Sequence, residues 1–298
     1  MTNFHRQYRL SAGTKNGNDG FEIGKEDPDT GLALHINFTI EKSDSSTANT
    51  SKIKIWNLTR EHLNVLAKTG CEVDLSAGYG NSLPCIFRGV VSNAIENMDG
   101  ADRSVELDVV DGFADLSETF ISLSYSGQTT TRRVADDIAS RLSLPVSLSV
   151  SAEKLLDTVT FPNGYSYIGF AKYALNQIAN KTGLTWNIQN GILEIRKSNE
   201  SISTIVHKMN KDTGLLGIPK RIYSSQVSST SNSSDSSSDS LYGYEIEYFL
   251  NGAIRIGDKI YLETEEVTGL FMVYSLIITG DNLESDFTCT AQVTEVKK

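Results

Sequence analysis

The 298-residue sequence contains only three cysteines, Cys71, Cys85 and Cys289, and no two of them have the CxxC spacing. This odd, scattered set argues against a disulfide framework and fits synthesis in a reducing compartment. The longest apolar stretch, near residues 270–278, is about half the length that a bilayer requires, and the N-terminus lacks the apolar segment of a secretory signal. We therefore expect a soluble, non-secreted protein without a membrane anchor.

Basic residues are also scarce. Lys and Arg total 27 against 37 Asp and Glu, which gives a formal net charge of −10. A protein that follows a phosphate backbone carries a basic stripe, and a protein docked on anionic lipid carries a basic face. We therefore expect no specific nucleic-acid binding. The hydrophobic content of 39% is nevertheless sufficient for a packed core.

Sequence motifs for common catalytic and binding sites are missing. No P-loop, GxSxG or GxGxxG sequence occurs, and Gly78-Tyr-Gly80 is too short to cradle a phosphate. The histidines lie far apart in the sequence, without the HxH or HxxxH spacing that favours metal binding; they are His5, His35, His62 and His207. These absences predict no metal, no cofactor and no catalytic cluster.

The first 112 residues have the pattern of β-strands. Apolar and polar residues alternate over residues 32–41, and the same period of two recurs over 73–77 and within 103–111. Residues 83–97 are predicted as a further strand, joined to 103–111 by the turn Asp99-Gly100. A short helix is expected after Thr59, which can cap its N-terminus, and Gly70 ends it.

The middle third changes to a helical period. Residues 131–142 place Val134, Ile138 and Leu142 on one face, which predicts an amphipathic helix. A second helix is predicted over residues 166–181, with Ser166 as its N-cap. A hairpin then follows over residues 185–195, with Asn190-Gly191 suited to a type I′ turn. This section is predicted to be α/β.

The last third returns to strands, predicted over residues 242–248, 270–279 and 286–296. Before them lies a low-complexity tract, residues 224–240, in which eleven of seventeen residues are serine. Such a tract cannot bury enough apolar surface to offset the entropy of ordering it. We expect an exposed loop or linker here.

Three strands carry pairs of carboxylates at positions i and i+2, which point to the same face and lie about 7 Å apart. An inverting glycoside hydrolase uses a carboxylate pair at such a separation. A solvated sheet face carries the same pattern, and no aromatic sugar-stacking motif accompanies these pairs. The pairs are Glu72 and Asp74, Glu106 and Asp108, and Glu245 and Glu247.

An ordered set of short motifs resembles the phage tail baseplate hub proteins, the contractile-tail hubs related to the spike-protein hub of type VI secretion. The resemblance covers roughly residues 30–298, and the serine tract departs from it. The motifs are KIWNLT (54–59), VDLSAGYG (73–80), IFRGVV (86–91), VDG (110–112), TTTRRV (129–134), ANKTGLTW (179–186), GLLGIP (214–219) and NGAIRIGD (251–258).

The resemblance implies a mainly β protein with an α/β insert. Two barrel-like tube domains, 1–112 and 213–298, would flank a two-helix α/β domain, 113–212, and the serine-rich loop 224–240 would lie in the second barrel. No appended peptidase or lysozyme domain is expected.

The implied function is that of a structural, non-enzymatic virion protein, located in the tail baseplate and assembled in the bacterial host cytoplasm. A homotrimeric ring would join the sixfold tail tube protein to a trimeric spike protein and leave a channel for DNA ejection, with the tape measure protein as a further candidate partner. We expect at least one of the three acidic pairs to face that channel, where it would repel DNA. The alternatives are that all six carboxylates lie on wet outer faces, or that the protein is a tail-associated cell-wall hydrolase that uses one pair.

Overall fold

The computed structural model describes residues 5–14, 17, 19–24, 33–44, 49–80, 82–111, 119–198, 200–224, 241–284 and 286–296. The serine-rich tract therefore lies outside the described residues, apart from its first residue. The predicted architecture, mainly β with a small helical insert, is confirmed.

The strands are β1 (Arg6–Thr14), β2 (Gly20–Ile23), β3 (Ile36–Ser43), β4 (Thr50–Trp56), β5 (Cys71–Tyr79), β6 (Cys85–Asp99), β7 (Asp102–Val110), β8 (Phe120–Tyr125), β9 (Thr129–Thr130), β10 (Val146–Leu148), β11 (Thr160–Phe161), β12 (Tyr165–Phe170), β13 (Leu184–Gln189), β14 (Ile192–Lys197), β15 (Val206–Met209), β16 (Leu215–Ser224), β17 (Leu241–Phe249), β18 (Lys259–Glu263), β19 (Thr268–Asp281) and β20 (Phe287–Glu295). The helices are α1 (Arg60–Leu66), α2 (Thr131–Leu142), α3 (Val150–Thr158) and α4 (Ala171–Thr182).

Strands from both ends of the chain share one large sheet. Its order is β16-β17-β20-β19-β3-β4-β7-β6-β5-β1-β2; in addition, β18 pairs with β19, and β15 pairs with β18. The C-terminal strands join the N-terminal ones where β19 pairs antiparallel with β3, from Ser275 opposite Ser43 to Asp281 opposite Asn37. β15 pairs with β18, so the C-terminal strands of the large sheet begin at Val206.

The period of two in the sequence places one face of this sheet on a common core. In β3 the buried apolar positions are Ile36, Phe38 and Ile40, which pack in one cluster with residues of β5, β7, β17 and β20. The sheet curls so that distant strands meet: the Tyr79 hydroxyl at the end of β5 donates to the Phe287 carbonyl oxygen of β20 at 3.1 Å. Curling lets a sheet this wide enclose a core on one face.

The middle section has a hydrophobic core of its own, formed by α2, α3, α4 and the strands packed on them. The prediction for α2 is confirmed, with Thr130 as its N-cap. The prediction that the second helix begins at Ser166 is wrong, because residues 165–170 form β12 opposite β8 and α4 begins at Ala171. Helix α3, capped by Ser149, lies in a segment for which no helix was predicted.

The type I′ turn predicted between β13 and β14 is confirmed by positive φ angles of 52° at Asn190 and 73° at Gly191. Cys71, Cys85 and Cys289 are all free thiols. Within the described ranges, the helices are all too short or too polar to cross a bilayer.

Candidate functional site

The six predicted carboxylates occupy the face of the large sheet that lies opposite the core. Glu72 and Asp74 alternate in β5 with buried Cys71, Val73 and Leu75. The acidic positions of β7 and β17 alternate with core residues in the same way. The three pairs lie on separate strands of one sheet, and β7 is separated from β5 by β6. The structure therefore gives the six carboxylates a common face, distributed along the sheet.

One carboxylate of each pair contacts a basic residue on a neighbouring strand. Arg88 Nη2 donates to Asp74 Oδ2 at 2.9 Å. Lys52 Nζ lies 3.6 Å from Glu106 Oε1, and Lys220 Nζ lies 3.5 Å from Glu245 Oε1. In each pair, one of the two carboxylates is therefore held by an ion pair with a basic residue of the adjacent strand.

Glu72 and Asp74 also line an open groove of about 460 Å³ beside β1 and β2. Glu22 of β2 lies on its opposite wall, and Ser11 Oγ is 3.4 Å from Glu22 Oε2. This groove therefore carries three carboxylates, Glu22, Glu72 and Asp74.

A second polar cluster was not predicted from the sequence. It lies where the β13–β14 hairpin of the middle section docks on the large sheet. Lys42 continues the inward alternation of β3 and is buried, and its Nζ donates to Asn190 Oδ1 at 2.6 Å. The Asn190 backbone N–H donates to Asp111 Oδ2 at 2.9 Å. The hairpin turn is thereby fixed to the ends of β3 and β7.

Further contacts extend this junction along the hairpin. Asn187 Nδ2 donates to Asp44 Oδ1 at 3.2 Å, and Arg196 binds the same carboxylate oxygen through Nη2. The Arg196 guanidinium also donates to the Ile256 carbonyl oxygen at 3.4 Å. The contact between the two cores is therefore built largely from hydrogen bonds and ion pairs.

Two buried groups of this junction have perturbed acidities. Burial raises the pKa of Glu194 to about 7, although the neighbouring Arg196 and Arg255 oppose the shift. Burial also lowers the pKa of Lys42 to about 8, against the attraction of Asp111. Both shifts express the cost of holding a charge away from water.

The histidines form no shared centre. His35 Nε2 lies 3.0 Å from Asp281 Oδ2, and the His35 ring stacks on Trp56 at a centroid distance of 3.9 Å. His62 stacks on Phe21, and His207 Nε2 lies 3.7 Å from Asp258 Oδ2. Across the described parts of the chain, no three His, Cys, Asp or Glu side chains are grouped in a way that could hold a metal ion.

Comparison with known proteins gives matches among solved structures. No protein-family model matches the sequence, and no curated protein matches it. The fold is similar to a 43 kDa prophage tail protein from Shewanella oneidensis, with 10% identity, a TM-score of 0.63, and coverage of 97% of this chain and 98% of the other. It is similar to a tail protein from Neisseria meningitidis, with 11% identity, a TM-score of 0.61 and 97% of each chain covered.

A third similar structure is an E. coli component of the type VI secretion system, itself described as structurally similar to the bacteriophage T4 tail proteins gp27 and gp5. The identity is 10% and the TM-score 0.57, with 90% of this chain and 76% of the other covered. The resemblance carried by the sequence motifs is therefore confirmed at the level of fold: the chain has the fold of these phage tail proteins and of their type VI secretion relative.

Proposed function

We propose that this chain is a structural, non-enzymatic component of a phage tail: a baseplate hub subunit that forms a ring between the sixfold tail tube and a trimeric spike. The observation that carries the proposal is the similarity of fold along 97% of the chain to tail proteins that it matches almost from end to end. The ring is a homotrimer in the virion, assembled in the host cytoplasm, and the tape measure protein is a further candidate partner.

Strand edges and exposed apolar residues support self-association. β5 pairs with β6 only as far as Val90, and the β6–β7 hairpin continues past that point to Asp99. Ile95 and Met98 on this extension are 47% and 67% exposed. Strand edges and exposed apolar side chains provide surfaces on which a second chain can pair and pack.

The layout proposed for the ring places two tube-like parts, residues 1–112 and 213–298, in each subunit, with residues 113–212 between them. Three copies would then present six similar units to the tail tube. Superposition of the two parts tests this layout, since dissimilar parts could not match a sixfold partner.

We also propose that the outer face of the sheet contributes to the channel for DNA. Glu72, Asp108 and Glu247 add negative charge to this face. The negative charges of Asp74, Glu106 and Glu245 are offset by the basic residues paired with them, which are Arg88, Lys52 and Lys220. DNA carries about one negative charge per 1.7 Å of duplex, so an acidic lining repels it and leaves it free to pass.

The association state of the purified chain tests the ring. Native mass spectrometry should find a species of about 98 kDa, three times the 32.6 kDa of one chain. The double substitution Ile95→Lys and Met98→Lys should reduce the trimer without unfolding the subunit, because both side chains are exposed. Glu153→Lys, at an exposed position of α3, is the control and should leave the trimer intact. A chain that stays monomeric at every concentration, and hydrolyses peptidoglycan, would favour the hydrolase instead.

A further inference from the structure

The buried Lys42 side chain lies against an amide with which it can react. Lys42 is 6% exposed, and its Nζ atom donates to Asn190 Oδ1 at 2.6 Å. A carbonyl bond is about 1.2 Å long, so the Asn190 Cγ atom lies no more than about 3.8 Å from Nζ. Reacting atoms held about 3–3.5 Å apart are close to an attacking geometry. The fold therefore brings an amine and a carboxamide carbon, 148 residues apart in the sequence, close to that geometry.

A carboxylate lies beside this pair. Asp111 is 1% exposed, and its Oδ2 atom accepts the backbone N–H of Asn190 at 2.9 Å. After burial itself, the attraction of Asp111 is the largest influence on the pKa of Lys42, so the carboxylate acts on the amine as well as on Asn190. A carboxylate in this position can take a proton from one nitrogen and give it to another.

Burial makes the Lys42 amine available as a nucleophile. It lowers the pKa of Lys42 to about 8, so that about half of the chains carry the neutral amine at pH 8. Asp111, Cys85 and Glu194 oppose this shift, and Arg255 adds to it. A neutral lysine amine has the free electron pair that attack on a carbonyl carbon requires.

The surroundings of the pair are largely apolar and leave little room. A cavity of about 10 Å³ adjoins Lys42 and Asn190. Its apolar walls are formed by Ile86, Ile254, Leu276 and Ile278. A cavity of this size holds about one molecule as large as water. Ammonia has that size, so the cavity has room for it as a leaving group, while the walls keep out the bulk water that would compete with the amine.

We propose that the folded chain joins Lys42 to Asn190 through an intramolecular isopeptide bond, with Asp111 as the proton carrier. The neutral amine attacks Asn190 Cγ, and a bond forms between Nζ and Cγ. The bond between Cγ and Nδ2 breaks, and Asp111 carries a proton from Nζ to Nδ2, which leaves as ammonia. One amide replaces another, so the step needs no oxidant, reductant or cofactor, and the chain becomes about 17 Da lighter.

The bond ties the β13–β14 turn of the middle section to β3 of the large sheet. Hydrogen bonds and ion pairs at this junction separate in denaturant, whereas an amide bond does not. The bond also closes a covalent loop between positions 148 residues apart, which restricts the unfolded chain more than the folded one. In the structure the two side chains are hydrogen-bonded and not yet joined. This inference is independent of the proposed tail function.

Intact-mass spectrometry of the denatured full-length chain tests the bond after incubation of the folded protein at pH 6, 7, 8 and 9. We expect a species about 17 Da lighter than the sequence mass, which forms faster at pH 8 and 9 than at pH 6 because the neutral amine is then more abundant. Tryptic digestion of that species should give one branched peptide that joins the segments containing Lys42 and Asn190. Asn-Gly sequences also lose ammonia by ring closure onto their own backbone, so the branched peptide identifies the bond.

Two variants separate the roles of the reacting groups. Lys42→Met removes the amine but keeps a long, unbranched side chain, and it should give no branched peptide. Asp111→Asn keeps the shape of the side chain but cannot carry the proton, so it should form the bond at least tenfold more slowly. Lys52→Met, the same substitution at an exposed position of the adjacent β4, is the matched control and should form the bond at the wild-type rate.

Circular dichroism verifies that each variant is folded. Folded wild-type protein that gives no branched peptide after several days at pH 9 would overturn the proposal, and this result does not depend on whether any variant folds. A species about 17 Da lighter that forms equally fast in Lys42→Met would also overturn it, because the ammonia would then come from ring closure at an Asn-Gly sequence. An unchanged rate in folded Asp111→Asn would refute the assignment of Asp111 as the proton carrier.

Discussion

Replacing Glu194 with glutamine should stabilise the folded protein, and the gain should increase as the pH rises from 5 to 8. Burial raises the pKa of this carboxyl from its ordinary 4.5 to about 7 in the folded state. Between these two values the unfolded chain releases the proton while the folded chain retains it. Stability is therefore lost as the pH rises through this window, and the loss is complete above pH 7.

The size of the effect follows from that difference in pKa. Each pKa unit corresponds to about 1.4 kcal/mol, so the full cost of ionising Glu194 is about 3 kcal/mol at pH 8 and less than about 1 kcal/mol at pH 5. Glutamine has nearly the same shape and carries no charge to desolvate. The Lys42 ammonium does not interfere, because its pKa of about 8 in the folded state, lowered by burial, makes stability rise with pH only between about 8 and 10.5.

Urea unfolding of the wild type and of Glu194→Gln at pH 5, 6, 7 and 8 measures the difference. Glu247→Gln is the matched control, because Glu247 is exposed on β17, and its stability relative to the wild type should be nearly constant with pH. A stability difference for Glu194→Gln that does not change between pH 5 and 8, or a variant that is less stable than the wild type at pH 8, would refute the reasoning.

Four further predictions concern other parts of the chain. Replacing residues 225–240 with a four-residue turn should preserve folding and change stability by no more than about 1 kcal/mol in urea unfolding, because Ser224 and Leu241 are already paired and loop closure depends weakly on length; a chain that no longer folds would show that the tract packs. Asn190→Gly should destabilise the protein by about 2 kcal/mol, since it removes the acceptor of the buried Lys42 ammonium while tolerating the positive φ, and an unchanged urea midpoint would contradict this. Metal analysis of purified protein should find no stoichiometric zinc. Lysine at several of the six carboxylates should slow DNA ejection from particles, whereas ejection at the normal rate would remove the proposed channel role.

The strand pattern could be predicted because it depends on local alternation. The period of two over residues 32–41 became β3, and the turn residues Asn190-Gly191 became the tight turn between β13 and β14. The start of α4 was predicted too early because of Ile168. This residue lies three positions before Ala171 and seven before Leu175, which are buried on one face of the helix, so its spacing is that of a helix. The backbone around it instead pairs with β8, which leaves the Ile168 side chain 70% exposed.

The polar junction could not be predicted from local patterns, since its members are brought together by contacts between distant segments. Lys42 and Asn190 are 148 residues apart, and Arg196 and Asp44 are 152 apart. One local signal was present: Lys42 occupies an inward position of β3, where the alternation otherwise places apolar residues. A charged residue at such a position predicts a buried partner, and it does not reveal which residue that partner is.

A cryo-electron microscopy reconstruction of tail particles that contain this chain tests the central claim most directly. The account predicts three copies around one axis, in contact with the sixfold tube on one side and a trimeric spike on the other, with at least one of the three acidic pairs on the wall of the channel. A reconstruction in which the chain lies outside the tube–spike axis as single copies, or in which lysine and arginine line the channel and all six carboxylates face the outer rim, would contradict it.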